Sequence, residues 1–317
     1  FSRFPKAVLE DEPYPVRGLM ILGGSPVLSF PDSKSWREAY KKLDCLIVLD
    51  RYFTEDARYA DVVFPACSLF EVPKAVPGLI EPVGESKNDV LIMGAIAKKL
   101  GFGDKLPQTE EELRSWLLSG TAPYAGDFGT SADQKKEKHY KKYETGELRA
   151  DGKPGFPTPS GKLEICSTIL EENGFVPYPE YKDVRSIPEL AGKEYPFTMT
   201  SGARSNNRMG VFGANLDKIA EIEPYPFVDI NAEDAKEIGI EEGDMVKVIT
   251  PFADGTFKAK IRGIARHAIH IPHGGGSAYM AEPWKNGNVN DLCSLDYADP
   301  MTGFVLIKSV PCRVEKV

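Results

Sequence analysis

Several stretches of this sequence gather residue types able to grip a polar ligand. Gly23-Gly24-Ser25-Pro26 follows an apolar run and precedes a helical pattern. Glycines at such a turn let backbone N–H groups approach a phosphate, and open α/β sheets bind nucleotides at their carboxyl edge. The turn is neither G-x-G-x-x-G nor a P-loop, so alone it reads equally as a plain strand-to-loop turn. Asp50 closes a second apolar run, where an acid can accept from ribose hydroxyls or from the N1–H and amine of guanine. Capping of the Tyr52–Tyr59 segment explains the same aspartate equally well. Ser201-Gly202-Ala203-Arg204-Ser205-Asn206-Asn207-Arg208 is the richest polar cluster. Its two arginines suit a pyrophosphate gripped bidentately, and a surface loop accounts for them as well. Asn288-Val289-Asn290 and Pro272-His273-Gly274-Gly275-Gly276 offer amide pairs and glycines that suit a flat heterocycle, although each alone is more simply a turn.

Other chemistries lack their residues. The five cysteines (Cys45, Cys67, Cys166, Cys293, Cys312) include no C-x-x-C pair, and four histidines are equally sparse, so no iron–sulfur or zinc site is expected in this chain. Cys45, Cys166 and Cys312 sit in apolar or β-like contexts, where a free thiol acts as a small hydrophobe. There is no G-x-S-x-G elbow and no H-E-x-x-H. A net charge of −8 argues against nucleic acid as a principal partner. The basic run Lys135 to Lys142 reads as a solvated face. No apolar run approaches the roughly 20 residues that span a bilayer, so no membrane insertion is expected. Phe1-Ser2-Arg3-Phe4-Pro5 has neither an initiator methionine nor a signal-peptide pattern and reads as a chain that begins mid-protein.

The elements that must position these residues follow from periodicity. With 317 residues, 42% of them hydrophobic, the chain suffices for two cores. Gly18–Leu22, Cys45–Leu49 and Val62–Phe64 are continuous apolar strands. A helix between the first two is capped by Asp32 or Ser33 and carries Trp36, Ala39, Tyr40 and Leu43 on one face. Further helices are expected from Asp89 to Leu100 and from Glu110 to Leu118, the latter with a Thr109/Glu112 capping box. Apolar strands alternating with helices predict a covered parallel sheet over residues 1–118. Residues 119–190 read as a connecting region or insertion, ordered again from Gly155 to Ile165. The last part, 191–317, is β-rich: Phe197–Thr200, Phe227–Ile230, Met245–Thr250 and Phe257–Arg262, the last pair joined by a turn at Asp254-Gly255. A short helix from Ala232 to Ile238 is capped by Asn231 and ended by Gly239. Short strands with Gly and Pro turns predict a closed barrel.

Taken together, the blocks resemble the molybdenum and tungsten oxidoreductases of the dimethyl sulfoxide reductase type. The resemblance rests on Gly23–Pro26 through Asp50, on Thr54-Glu55-Asp56-Ala57-Arg58-Tyr59-Ala60-Asp61-Val62-Val63-Phe64-Pro65-Ala66, and on Glu81–Glu85. It continues through Gly155–Glu164, the Ser201–Arg208 loop, Val228–Val246, Asn288–Asn290 and Cys312–Glu315. It implies an α/β Rossmann-like domain followed by a double-psi β-barrel, together holding bis-molybdopterin guanine dinucleotide with Mo or W. Gly23, Gly24, Ser25, Pro26 and Asp50 would serve one dinucleotide arm. Ser201, Gly202, Arg204, Ser205, Asn288 and Asn290 would contact the other arm or its pterin. The metal ligand and the family's iron–sulfur module would lie in a missing N-terminal part of the same enzyme, with electron-transfer subunits as further partners. Ser25 stands where the family more often has Asn before Pro. Two other readings stay open: a non-catalytic cofactor-binding or scaffold subunit, and an unrelated two-domain nucleotide enzyme.

Overall fold

The computed structural model describes residues 2–71, 78–119, 141–202 and 215–317. Two compact units result: Phe1–Ser119 together with Val184–Val317, and Gly120–Asp183. The first unit opens with α1 (Phe4–Glu10), β1 (Gly18–Leu22), α2 (Pro26–Ser29), α3 (Ser33–Lys42), β2 (Cys45–Asp50) and β3 (Val62–Pro65), then α4 (Asp89–Lys99) and α5 (Glu110–Leu118). The second holds the short helices α6 (Lys142–Thr145) and α7 (Thr168–Glu172) among turns.

Strands β1, β2 and β3 form a parallel sheet in that order, with Leu22 opposite Leu49 and Asp50 opposite Pro65. Parallel pairing needs a crossover, which α3 supplies between β1 and β2. Asp32 caps α3 by accepting from the Ser35 N–H at 3.1 Å, and Trp36, Ala39 and Tyr40 bury one face. Thr109 caps α5 as expected, but Glu112 reaches back to the N–H of Gln108 rather than to that of Thr109. Gly101 takes the left-handed φ of +87° that ends α4.

The C-terminal portion contributes β4 (Phe197–Ser201), α8 (Asp217–Ile222), β5 (Phe227–Asn231), α9 (Ala232–Glu237), β6 (Met245–Ile249), β7 (Asp254–Arg262), β8 (Ala268–Ile271) and β9 (Lys308–Lys316). The strands close into a barrel in the order β4-β8-β5-β7-β6-β9, with β4–β8 and β5–β7 parallel and the other pairs antiparallel. Period-2 alternation turns Met199, Val228, Ile230, Val248, Phe257, Ile269 and Val310 inward, each fully buried. Asn231 caps α9 by accepting from the N–H groups of Glu233 and Asp234.

The β6–β7 turn differs from the expected one. Asp254 and Gly255 lie inside β7, paired with Ile249 and Val248, and the chain reverses over Thr250–Ala253. Pro251 has no N–H to give a ladder, and the Thr250 hydroxyl accepts from the N–H groups of Phe252 and Ala253, both at 3.2 Å. That side-chain turn outcompetes the Asp-Gly signal. Two cysteines expected in apolar surroundings, Cys45 and Cys166, are exposed, whereas Cys67, Cys293 and Cys312 are buried.

Sheet and barrel share an interior. Met280 and Trp284, from the segment after β8, are 3% exposed each and pack with Ile21, Leu28, Trp36 and Val48 of the sheet portion. The Trp284 indole N–H donates to the Glu223 carbonyl at 2.7 Å, and the buried Glu55 carboxylate accepts from the Ala278 N–H at 3.2 Å.

Candidate functional site

The site is built at the carboxyl edge of the parallel sheet. Gly23 leaves β1 with φ +58°, and nothing lies within 4 Å of where a Cβ would stand. Its N–H donates to the Leu49 carbonyl at 2.9 Å, which sets the glycine turn beside the end of β2. There Asp50 is half-buried and accepts from the Tyr52 N–H at 3.1 Å through one oxygen. Asp89, the first residue of α4, is a close electrostatic neighbour. Burial and the Asp50 charge push its carboxyl above the ordinary range, while Arg51 opposes them. This second acid escaped the sequence reading, because only tertiary packing brings α4 to the strand end.

Ser25 does not face open space. Its hydroxyl donates to the carboxylate of Asp56, which also accepts from the Val27 N–H at 3.1 Å and the Tyr40 hydroxyl at 2.7 Å. Asp56 is fully buried. Burial raises its carboxyl pKa, and the three donors partly offset that rise. Tyr40 is pushed far up by its own burial and by the Asp56 charge. In the sequence Asp56 stands inside the Thr54–Ala66 block, and no local pattern marks it as the anchor of a turn 31 positions away.

At the other end of α2 the barrel takes hold. The Asn290 side-chain amide donates to the Leu28 carbonyl at 2.7 Å, and the Asn288 amide donates to the same carbonyl at 3.3 Å and to the Ser33 hydroxyl at 3.1 Å. The Asp32 N–H donates to the Asn290 carbonyl at 2.8 Å. Both asparagines are nearly completely buried. Their packing demands glycine opposite: at Gly276, φ +95°, a Cβ would stand 2.7 Å from that of Asn288. Thus the structure brings Ser25, Pro26, Asn288 and Asn290 together around one helical turn, with Gly23, Gly24 and Asp50 at its open side.

The second polar cluster is seen in part. The Ser201 hydroxyl is buried and donates to the Ile307 carbonyl at 3.0 Å. Gly202 is exposed at φ +106° with no atom within 4 Å of a Cβ position. Arg204 and Ser205 lie outside the described residues. His273 is half-buried, its Nδ1 3.4 Å from the Asn290 amide nitrogen. Among the described residues no group of three or more His, Cys, Asp or Glu is placed to hold a metal. No helix there is long and apolar enough to cross a membrane.

These donors suit an extended polar ligand. Two glycine turns carry no side chain at positions with free space around them, and an acid at a strand end accepts from the chain through one oxygen. A nucleotide-bearing organic cofactor fits such residues. The fold is thus a parallel sheet joined to a closed barrel, with these groups gathered at the carboxyl edge of the sheet.

Comparison with known proteins names the class further. A profile described as molybdopterin oxidoreductase matches residues 7–99, and one described as molydopterin dinucleotide binding domain matches residues 198–311. The chain belongs to the molybdopterin oxidoreductase family. It is 31% identical over 277 residues to a formate dehydrogenase subunit alpha of Methanocaldococcus jannaschii, covering 81% of this chain and 38% of that protein. It is 30% identical over 266 residues to the probable oxidoreductase YoaE of Bacillus subtilis, covering 78% of this chain and 37% of that one. The solved acetylene hydratase from Pelobacter acetylenicus shares the fold, with a TM-score of 0.80 at 23% identity over 99% of this chain and 46% of that one. The chain thus spans less than two fifths of the length of these two curated relatives.

Proposed function

We infer that the chain is the C-terminal, cofactor-binding part of the catalytic subunit of a molybdenum or tungsten oxidoreductase that transfers an oxygen atom or a hydride equivalent. The supporting observation is the pairing of an open glycine turn with Asp50 at the carboxyl edge of a parallel sheet, inside the segment that matches the family. The sheet portion, residues 1–118, is read as Rossmann-like. The barrel portion, residues 191–317, is read as double-psi, with 119–190 as the connection.

In this reading the N–H groups of Gly24 and Ser25 face the phosphates of one molybdopterin guanine dinucleotide, Gly23 and Pro26 shape the turn that carries them, and Asp50 accepts from the guanine or ribose. Ser201, Gly202, Arg204 and Ser205 hold the second dinucleotide. Asn288 and Asn290 stand behind the first turn and fix it against the barrel. When bound, the cofactor supplies the redox chemistry, and this chain's residues bind and orient it. The metal ligand and any iron–sulfur cluster are assigned to a preceding part of the same polypeptide, with electron-transfer subunits as partners. The test is the guanine nucleotide released by acid from the cofactor-loaded protein. Asp50→Ala should reduce it per mole of protein without changing the unfolding midpoint. Full nucleotide content in that variant would reduce Asp50 to a cap for Tyr52.

A further inference from the structure

Asp56 is a fully buried acid that neither faces solvent nor pairs with a base, yet it takes donors from three elements. Ser25 belongs to the glycine turn, Val27 to α2, and Tyr40 to α3. An ionised carboxylate removed from water is expensive unless its oxygens are saturated with donors. Here the donors are a hydroxyl, a backbone amide and a phenol, all neutral, so the stabilisation depends on keeping all three in place. The cost of the buried charge is thereby converted into a constraint on the turn. Ser25 is the residue that joins the two glycines to the start of α2. Its hydroxyl is spent inward on Asp56 and is not available to a ligand outside.

We propose that Asp56 is a positioning residue for the dinucleotide: through Ser25 and Val27 it locks the Gly23–Pro26 turn in the conformation that presents its backbone to the cofactor. This rests on the cofactor reading above, and it adds that an internal hydrogen bond between Ser25 and Asp56 holds the turn. Tyr40 donates to the same Asp56 oxygen that accepts from the Val27 N–H and its own hydroxyl also accepts from that N–H, so it supports Asp56 and the start of α2 without contacting Ser25. The three donors are therefore unequal: Ser25 alone belongs to the glycine turn, while Val27 and Tyr40 meet the carboxylate at the start of α2.

The experiment separates these roles in the cofactor-loaded protein and in the same protein stripped of cofactor. Asp56→Asn and Ser25→Ala should speed nucleotide release on the order of tenfold, the factor expected for losing one hydrogen bond to a charged acceptor. Ser25→Thr, which keeps the hydroxyl, should release at the parental rate. Tyr40→Phe should lower the unfolding midpoint as much as Asp56→Asn does while leaving release unchanged. In the stripped protein, amide hydrogen exchange at Leu28 and Ser29, whose N–H groups donate to the Ser25 carbonyl, should rise in Asp56→Asn and Ser25→Ala but not in Tyr40→Phe. Release that tracks the midpoint alone, in Tyr40→Phe as in Asp56→Asn, would overturn the proposal, as would unchanged exchange at Leu28 and Ser29 in Ser25→Ala. Altered exchange with no nucleotide in the parental protein would instead refute the cofactor reading and leave the lock standing.

Discussion

Removing the Asn290 side chain tests how the barrel holds the first turn of the site. The residue is 4% exposed, and its amide lies 2.7 Å from the Leu28 carbonyl oxygen. Asn290→Ala deletes that bond, but the Asn288 amide at 3.3 Å still serves the same oxygen, so the acceptor is not orphaned. The contact of the same amide with His273 Nδ1 at 3.4 Å is lost too, so the loss is up to two net hydrogen bonds, about 1–2 kcal/mol. The void left by the amide group adds roughly 1–2 kcal/mol more. Asn290→Asp has nearly the same shape but sets a carboxylate against a carbonyl oxygen, which at neutral pH costs roughly 3–5 kcal/mol. The introduced carboxyl would have a folded-state pKa above its unfolded value. Its penalty is therefore fully present above the folded pKa and disappears as pH falls below the unfolded value of about 4. Urea unfolding followed by tryptophan fluorescence reads both variants, because Trp36 and Trp284 are buried in the shared interior. Asn290→Ala within about 0.5 kcal/mol of the parent would refute the clamp, since surface substitutions fall in that range. So would an Asn290→Asp penalty that does not shrink in acid.

Gly276→Ala places a Cβ 2.7 Å from that of Asn288 and 3.2 Å from Leu28 Cδ2 at φ +95°, so a loss of roughly 2–4 kcal/mol is expected in thermal melts. Gly23→Ala, with only the left-handed φ to pay for, should lose about 1–2 kcal/mol. In the 120–183 unit, Arg149 holds the Asp151 carboxyl at about 2, and the Thr168 and Ser160 hydroxyls hold Glu164 at about 2. Depressed carboxyls stabilise above their unfolded values and lose that contribution as pH falls through 2. Proteolysis at pH 2.5 should therefore cut this segment faster than at pH 5, and equal rates would refute the assignment. Native thiol titration should label Cys45 and Cys166 and spare Cys293 and Cys312, whose thiols burial pushes up to about 12. Labelling of either buried thiol at the rate of Cys45 would contradict their placement.

Local rules read the local structure well. The three apolar strands, the Trp36–Ala39–Tyr40 face and the caps at Asp32, Thr109 and Asn231 all follow from residues a few positions apart. The rules failed where distant residues decide. Strand β8 interrupts its apolar pattern with His270, which is accommodated because Asp229 sits opposite on β5, 3.1 Å from its Nδ1. The barrel turn went to Thr250 because a hydroxyl capping two amides outweighed a familiar dipeptide. The roles of Asn288 and Asn290 are set by Leu28, 260 and 262 positions away, a separation no spacing rule covers. Asp56 was invisible as an anchor for the same reason. Its donors come from a turn, a helix start and a helix face that meet only in the folded chain.

The burial of Met280 and Trp284 among Ile21, Leu28, Trp36 and Val48 carries a consequence for synthesis. A growing polypeptide emerges from the ribosome N-terminus first, and its early portion ordinarily folds as soon as its own core is available. Here the sheet portion lacks two of its largest interior side chains until residue 284 has left the exit tunnel. The apolar surface it exposes meanwhile stays in contact with water until that segment arrives. Timing, as well as sequence, thus joins the two portions into one folding event.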